Sequence, residues 1–336
     1  MSSRPNQIDE WYGMRVFITG GTGMIGRRLV RRLFDRGDTP VILTRNADKA
    51  RAEPGNREAE IVSGDPSKAG EWQTSVGGCD AVCNLAGQNV FSGRWNAEIK
   101  RQIRESRVEG AARVVEAIAR AGARPKVLVQ GSAIGYYGPH GDETLTESSP
   151  AGSDFLATVC RDLEAAAGPV ESLGVRLATV RTGVVLAKGE GALKVMTPIF
   201  KLGGATPVGN GGHLFKPADG RQWMSWIHVD DILGIFLLAL DDDRATGPIN
   251  GTAPNPERNY DFSKALAKVL HRPFIPFGPP DLALEVMLGE TARVVTKGQK
   301  VLPAKAEAIG YSFRFPDLTP ALEAAFAETK VPASSD

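Results

Sequence analysis

Residues 14–37 read MRVFITGGTGMIGRRLVRRLFDRG, and this stretch decides the fold. Its first six residues are an apolar, β-branched run that ends in glycines, which is typical of a fully buried strand. Apolar residues then return at helical spacing, at Ile25, Leu29 and Leu33, and Gly37 marks the end of the predicted helix. A buried strand that passes through glycines directly into a helix predicts the first unit of an alternating β/α array.

Strand-like and helix-like segments keep alternating through the first half of the chain. The further strands are predicted at 40–44, 59–65, 80–87, 126–132 and 175–186, and the further helices at about 96–121 and at 154–167. Such alternation requires parallel strands joined by right-handed crossovers, with helices on both faces of the sheet. The predicted fold class is therefore α/β, with a Rossmann-type, doubly wound parallel sheet.

The composition and the periodicity of the sequence change after residue 186. Glycine and proline become dense without a clean period, and a strand-like piece followed by a helix returns in WMSWIHVDDILGIFLLAL, residues 223–240. We expect Asp230 or Asp231 to cap that helix. The predicted division is a Rossmann domain at 14–186, to which 223–255 returns, a smaller substrate lobe made of 187–222 and 256–328, and flexible tails at 1–13 and 329–336.

Charge and composition exclude several classes of partner. Forty basic residues against 39 acidic ones leave a net charge of +1, so no bulk electrostatic attraction favours nucleic acid or a membrane surface. The longest apolar stretch, 232–240, is far shorter than the ~20 residues of a membrane span. The three cysteines match neither a disulfide framework nor a zinc site and predict reduced thiols in the cytoplasm. We expect a small-molecule substrate and no metal; a homodimer is left open.

The glycines after the first strand predict a dinucleotide site. Gly20, Gly23 and Gly26 are spaced G-x-x-G-x-x-G, in the strand–turn–helix context that this motif requires. The first glycine permits the tight turn, the second lets backbone N–H groups approach a diphosphate, and the third lets helix and strand pack closely. The predicted cofactor contacts here are Thr19, Gly20, Gly23, Met24, Ile25 and Gly26. A purely structural glycine turn is the alternative.

The end of the second predicted strand favours NADP(H) over NAD(H). An NAD enzyme usually carries an acidic residue there, whereas Arg45 stands in LTRN without an acid beside it and could grip a 2′-phosphate. A solvated arginine is the alternative. Two further loops fall at the carboxyl ends of strands, where a cofactor lies, and simple turn chemistry explains either equally well. Their predicted contacts are Gly64, Asp65, Leu85, Ala86 and Gly87.

Four motifs in order, TGGTGMIG, NLAG, GSAIGYYG and SWIHVDD, resemble the extended or atypical short-chain dehydrogenase/reductase superfamily. More narrowly, DFLATVCRDLE, GRQWMSWIHVDD, NGTAPNP and GQKVLPAKAEAIGYSFRFPDL resemble its epimerase-like group, related to nucleoside-diphosphate-sugar epimerases and ending in a characteristic C-terminal segment. The resemblance covers about residues 14–328. It implies a Rossmann-type sheet, NADP(H) as cofactor and a substrate pocket between the lobes, and it implies no particular substrate.

The chain departs from the superfamily on the helix of residues 154–167. The resemblance implies a tyrosine and a lysine four residues apart on this helix, as proton donor and as cation that holds the nicotinamide ribose. Aligned on Glu164, those places are Leu156 and Cys160. We expect both to pack as ordinary core without a role in proton transfer, because leucine carries no proton and the thiol has no basic neighbour fixed by the sequence.

Other residues are candidates to replace the missing pair. Ser132 matches the serine that the superfamily uses to bond a substrate carbonyl or hydroxyl, and Tyr136 and Tyr137 follow in a glycine-flanked loop. For each tyrosine, packing against a cofactor or the second lobe is at least as good an interpretation as a role in proton transfer. In the second lobe, Arg221 and Trp223 are candidate substrate contacts, with an exposed loop arginine and a core aromatic as the alternatives. His228 and the aspartates after it are predicted to be structural.

Two function classes follow from these patterns. The leading one is an NADP(H)-binding oxidoreductase or epimerase-like enzyme that acts on a small polar or nucleotide-linked substrate. The competing one is a non-catalytic NADP(H)-binding sensor or scaffold, which the absent Tyr–Lys pair favours. Ser132, the tyrosines and an elaborate second lobe favour the enzyme.

Overall fold

The structure is a computed structural model that describes residues 13–56, 59–209 and 219–327. The predicted tails lie outside these residues, except Gly13. The helices are α1 Met24–Asp35, α2 Ala47–Ala52, α3 Ala97–Arg120, α4 Phe155–Ala167, α5 Gly191–Lys201, α6 Val229–Asp241, α7 Asn259–Val269, α8 Asp281–Leu288, α9 Arg293–Thr296, α10 Ala304–Ala308 and α11 Leu318–Ala327. The strands are β1 Arg15–Thr19, β2 Thr39–Thr44, β3 Glu60–Ser63, β4 Ala81–Asn84, β5 Val127–Ala133, β6 Thr144–Leu145, β7 Arg176–Thr182, β8 Val184–Ala187, β9 Trp223–Met224, β10 Trp226–His228, β11 Gly247–Gly251, β12 Glu257–Arg258 and β13 Lys300–Val301.

Seven strands form the central sheet, in the order β11-β7-β5-β4-β1-β2-β3. Every pairing in it is parallel. The strand order reverses beside β1, so the loops after β1 and β4 open a crevice at the carboxyl edge. The predicted α/β class with a Rossmann-type parallel sheet is confirmed.

Helices cover both faces of this sheet. α1 and α6 pack their apolar stripes on one face, where Leu29, Leu33 and Phe236 are buried. α3 and α4 cover the other face with side chains that include Val114 and Leu163. Because both faces are covered, the central strands are almost wholly apolar, as the sequence pattern indicates.

The predicted strand 175–186 is wrong as a single element. Gly183 divides it into β7, which belongs to the central sheet, and β8, which pairs with β10 instead. A Cβ at position 183 would lie 2.6 Å from the carbonyl oxygen of Ser225, so the chain bends at a residue without a side chain. The predicted cap of α6 is also wrong, because His228 Nδ1 accepts the N–H of Asp230 at 3.2 Å.

A separate apolar core lies in the second half of the chain. It joins β8, β10 and α5 to α7 and α11 through buried side chains such as Trp226, Phe262 and Leu322. The exact bounds of the two lobes stay a prediction. Within the described ranges, every helix is too short or too polar to span a bilayer.

Candidate functional site

The glycine loop joins β1 to α1 at the carboxyl edge of the sheet. Gly20 has φ +69°, and a Cβ there would lie 2.8 Å from the backbone of Leu85 and Ala86. A Cβ at Gly26 would overlap the carbonyl oxygen of Gly20. At Gly23, the N-cap of α1, a Cβ would meet only that same oxygen, at 3.2 Å. Gly20 and Gly26 are therefore required by the loop itself, whereas the loop leaves more room at Gly23, where the predicted diphosphate contact stays a prediction.

Thr19 lies beneath this loop. Its side chain is fully buried, donates a hydrogen bond to Asn84 and accepts the N–H groups of Leu85 and Ala86 at 3.2 and 3.1 Å. Direct contact between the Thr19 side chain and a cofactor is not supported by this burial. Thr19 instead holds the loop after β4 against the loop after β1, as a positioning residue. Met24 and Ile25 are half-buried in the first turn of α1.

Arg45 follows β2 and is exposed. Among the described residues its guanidinium has no ion-pair partner, and the next residue, Asn46, caps α2 by accepting the N–H of Lys49 at 2.9 Å. Asp65 lies near Arg45, at the end of β3. Burial raises the pKa of Asp65, but hydrogen bonds from Ser67 and the charges of Lys68 and Arg45 outweigh it and bring that pKa below its usual value.

Gly64 has a packing reason to be glycine. A Cβ at this position would lie 2.7 Å from the Trp72 ring, which is buried against β1 and β2. This contact favours the simple structural interpretation of Gly64, while Asp65 beside it remains a candidate cofactor contact.

The loop after β4 holds Leu85, Ala86 and Gly87 at the centre of the carboxyl edge. Gln88 fixes its far end, because its N–H is donated to Ser106 Oγ of α3 at 3.0 Å. The guanidinium of Arg107, the next residue of α3, lies against Gly87. A Cβ at Gly87 would be 3.0 Å from Arg107 Cζ. Arg107 is not among the residues that the sequence singles out, because one arginine on a long polar helix gives no signal of its own.

Ser132 is hydrogen-bonded to a buried ion pair. Ser132 Oγ donates to Glu164 Oε1 at 2.8 Å, and Arg181 grips both oxygens of the same carboxylate, with Nε at 3.0 Å and Nη2 at 2.7 Å. The Arg181 side chain is only 4% exposed. Burial alone would lower its pKa, but the Glu164 carboxylate and Tyr137 outweigh burial and raise it. The guanidinium is therefore a fixed cation behind Ser132.

The two predicted tyrosines occupy different environments. Tyr137 is fully buried, donates to Asn250 Oδ1 at 2.7 Å and accepts from Arg181 Nη1 at 3.0 Å. Burial raises its pKa. This position gives Tyr137 a structural part and does not support proton transfer to a substrate. Tyr136 is half-buried, with Arg181 Cζ 3.4 Å from its ring centroid, and its hydroxyl has no hydrogen-bond partner within the described residues.

Leu156 and Cys160 face the same turn on α4. A Cβ at Gly135 would lie 3.5 Å from Leu156 Cβ and 3.9 Å from Cys160 Sγ, so this helix face packs on the turn that carries the tyrosines. Burial, with help from the Glu164 carboxylate, raises the pKa of Cys160 to about 11. The thiol is thus neutral near pH 7, which agrees with packing rather than chemistry.

The second-lobe candidates lie beside the loop that follows Tyr137. Trp223 Nε1 donates to Asp142 at 3.0 Å, with Arg258 Cζ 4.1 Å and Lys300 Nζ 4.9 Å from its ring centroid. Arg221 is exposed and pairs with Asp219 at 3.0 Å. It lines a cavity of about 380 Å³ together with Arg258 and other polar residues. Both predicted substrate contacts thus border one basic surface.

The geometry of the sheet and of its loops agrees with the family comparisons. The chain matches the NAD dependent epimerase/dehydratase family over residues 16–250, and a C-terminal domain of unknown function (DUF1731) over residues 279–325. The protein belongs to the NAD dependent epimerase/dehydratase family.

Named relatives and a solved structure share nearly the whole chain. An epimerase family protein SDR39U1 homologue of Arabidopsis thaliana, labelled chloroplastic, is 43% identical and covers 93% of this chain and 86% of its own. Epimerase family protein YfhF of Bacillus subtilis is 35% identical over 94% of this chain and 99% of its own. The crystal structure of human epimerase family protein SDR39U1 (isoform 2) with NADPH has a TM-score of 0.81 at 32% identity, covering 94% of this chain and all of that one.

Proposed function

We propose that this protein is an NADP(H)-dependent oxidoreductase or epimerase-like enzyme that acts on a small polar or nucleotide-linked substrate. The observation that carries the cofactor preference is Arg45, an exposed arginine without an ion-pair partner in the described residues, at the end of β2. A guanidinium at this place can bind a 2′-phosphate with two hydrogen bonds. NADPH bound to the similar human protein supports the same assignment.

The order of the strands gives the cofactor one direction across the sheet. Arg45 follows β2, the glycine loop follows β1, Gly87 follows β4 and Ser132 ends β5, and these strands are neighbours in that order. An adenosine ribose at Arg45 and a diphosphate at Gly23 would direct the nicotinamide toward Ser132. The cofactor supplies hydride transfer when it is bound.

Ser132 and Tyr136 are the proposed groups that contact the substrate. Ser132 donates its hydroxyl hydrogen bond to Glu164, so its oxygen is left to accept a hydrogen bond from a substrate hydroxyl. The Tyr136 hydroxyl has no hydrogen-bond partner in the described parts of the chain, so it can donate a proton to a substrate oxygen or accept one from it. Arg221 lines the cavity where a phosphate or carboxylate of the substrate would bind, and Trp223 contacts Arg258 of the same cavity.

A second candidate is a non-catalytic NADP(H) sensor or scaffold. Leu156 and the neutral, buried Cys160 favour it, because α4 presents neither proton donor nor cation to the cleft. A sensor needs no Tyr–Lys pair, and its lobes would respond to cofactor binding alone.

A substrate screen separates these functions. NADPH and NADP⁺ absorbance would be followed in fractionated metabolite extracts with the wild type, Ser132→Ala and Tyr136→Phe. Turnover that both variants reduce while NADPH affinity is kept supports the enzyme. Tight NADPH binding with no fraction turned over supports the sensor, and no NADPH binding would refute both.

A further inference from the structure

Arg107 of α3 is a half-buried arginine without a counter-charge among the described residues. Its one hydrogen bond runs from Nη1 to the carbonyl oxygen of Ile103 at 3.1 Å. Neighbouring arginines of α3 differ: Arg104 pairs with Asp162 at 2.8 Å and Arg113 with Glu116 at 2.8 Å. None of the Arg107 nitrogens is a fully buried atom lacking a partner, so its remaining N–H groups are accessible from solvent.

Such an arrangement costs stability in the absence of a ligand. Burial lowers the pKa of Arg107, and the one charge that opposes this effect among the described residues is that of Cys160 once its thiol is ionised. An arginine nevertheless stays charged in proteins, so the half-buried cation remains uncompensated. A guanidinium at the edge of a cleft whose N–H groups lack acceptors is a candidate binding group, because a ligand can supply the missing hydrogen-bond acceptors.

The position of this guanidinium identifies the part of the cofactor it faces. It lies against Gly87, after β4, and near Cys160. β4 lies between β1, with the glycine loop, and β5, with Ser132. Adjacent strands are about 4.8 Å apart, roughly the length of one sugar unit. A dinucleotide with its diphosphate at the glycine loop therefore brings its second ribose to Gly87 and Arg107.

We infer that Arg107 binds the ribose on the nicotinamide side of the cofactor, by donating hydrogen bonds to its hydroxyl groups. This inference rests on the proposed binding of NADP(H). The cation reaches the ribose from α3, on the other side of Gly87, and α4 contributes no charge there. The guanidinium lies close to Gly87, where a Cβ would be 3.0 Å from Arg107 Cζ.

A series of three ligands tests this assignment by calorimetry. 2′-Phospho-ADP ends at the diphosphate, 2′-phospho-ADP-ribose adds the second ribose, and NADPH adds the nicotinamide. Arg107→Gln should bind 2′-phospho-ADP as the wild type does and should lose about 10- to 100-fold in affinity for the other two. The melting temperature of the ligand-free variant should stay the same or rise, because an unpaired charge is removed.

Arg104→Gln is the matched control, because it lies one turn earlier on α3, is exposed and already has a carboxylate partner. It should leave all three affinities unchanged. An equal loss for all three ligands with Arg107→Gln would overturn the inference in favour of a diphosphate contact. Unchanged affinities would overturn it too. Together with a lower melting temperature they would make Arg107 a structural residue, and together with a change in turnover alone they would make it a substrate contact. A wild type that binds none of the ligands would refute the proposed cofactor, and this inference with it.

Discussion

Ser132 and Arg181 share one carboxylate, that of Glu164. The serine hydroxyl donates to Glu164 Oε1 at 2.8 Å, while Arg181 binds both oxygens from the opposite side. Glu164 lies on α4 and Arg181 on β7, so one ion pair fixes the helix, the strand and the candidate substrate contact together. The Glu164 carboxylate therefore orients Ser132 and is itself held by Arg181.

Removing the charge of Glu164 should destabilise the protein strongly. Glu164→Gln leaves Arg181 buried without its counter-charge, and we expect a loss of about 3–5 kcal/mol in the free energy of unfolding. Urea denaturation measures it. Glu98→Gln is the control, because Glu98 pairs with Arg101 on an exposed face of α3 and should change stability by about 0.5 kcal/mol or less.

A double variant tests whether the unpaired charge causes this loss. Glu164→Leu combined with Arg181→Met should recover part of the stability, since no buried charge remains. Equal, small losses in Glu164→Gln and Glu98→Gln would show that the buried pair contributes no more than an exposed one.

Arg45→Asp should abolish the preference for NADPH over NADH. The variant loses a charge-assisted contact with the 2′-phosphate, at a cost of about 1.5–3 kcal/mol in NADPH binding. Fluorescence titration with both cofactors measures the ratio. Arg51→Asp on α2 is the control, because Arg51 is exposed and pairs with Asp48. A preference that survives in Arg45→Asp would refute the assignment.

Gly23→Val should prevent binding of both cofactors and leave the protein folded. A Cβ at position 23 would have the Gly20 carbonyl oxygen as its one contact within 4 Å among the described residues, but the valine side chain would occupy the approach to the N-terminus of α1. Circular dichroism tests whether the variant is folded, and NADPH titration tests whether it binds the cofactor. In Gly122→Val, where a Cβ meets nothing within 4 Å, both should be unchanged. Normal titration of Gly23→Val would make the loop a simple turn.

The sequence was sufficient to predict those strands of the sheet that are apolar on both faces. It was not sufficient for β11, whose sequence GPING contains the glycine and proline that are typical of turns. This strand forms because β7 offers it a parallel edge, and Asn250 within it accepts from Tyr137. A partner supplied by a distant part of the chain leaves no local pattern.

The candidate site was predictable where backbone geometry requires glycine and unpredictable where side chains meet across elements. Gly26 is required by its approach to the Gly20 carbonyl oxygen and Gly20 by its own φ of +69°, so their spacing carries much of the information. Glu164 and Arg181 lie on different elements and meet only because α4 packs against β5, the neighbour of β7 in the sheet. The two adjacent tyrosines look equivalent in sequence and differ entirely in burial, for the same reason.

Tyr136→Phe and Tyr137→Phe should separate activity from stability. Tyr136→Phe removes the free hydroxyl, so turnover should fall about 10²-fold or more while NADPH affinity and stability are kept. Tyr137→Phe removes a buried hydroxyl that bonds Asn250 and Arg181, so stability should fall by about 1–3 kcal/mol. Steady-state kinetics and urea denaturation measure both variants.

Ser132→Ala belongs with Tyr136→Phe in this comparison and should lower turnover by a similar factor, through loss of an oriented hydrogen bond. If Tyr137→Phe instead abolishes turnover without a change in stability, the buried tyrosine acts in the reaction and its structural interpretation is wrong.

Cys160→Ala should leave any turnover within a few-fold of the wild type, because a small neutral thiol on a packed helix face contributes little more than contact area.

The same Cys160→Ala variant should change the pH dependence of stability. Burial raises the pKa of Cys160 from 9.0 to about 11, so between these values the unfolded chain releases a proton that the folded protein keeps. The stability that this thiol contributes is therefore fully present below pH 9 and is lost as the pH rises toward 11. Between pH 8 and pH 10 the wild type should lose about 1 kcal/mol more than Cys160→Ala in urea denaturation. Identical pH profiles would show that the thiol ionises normally in the folded protein, and loss of turnover with folding and NADPH binding intact would make Cys160 a chemical group.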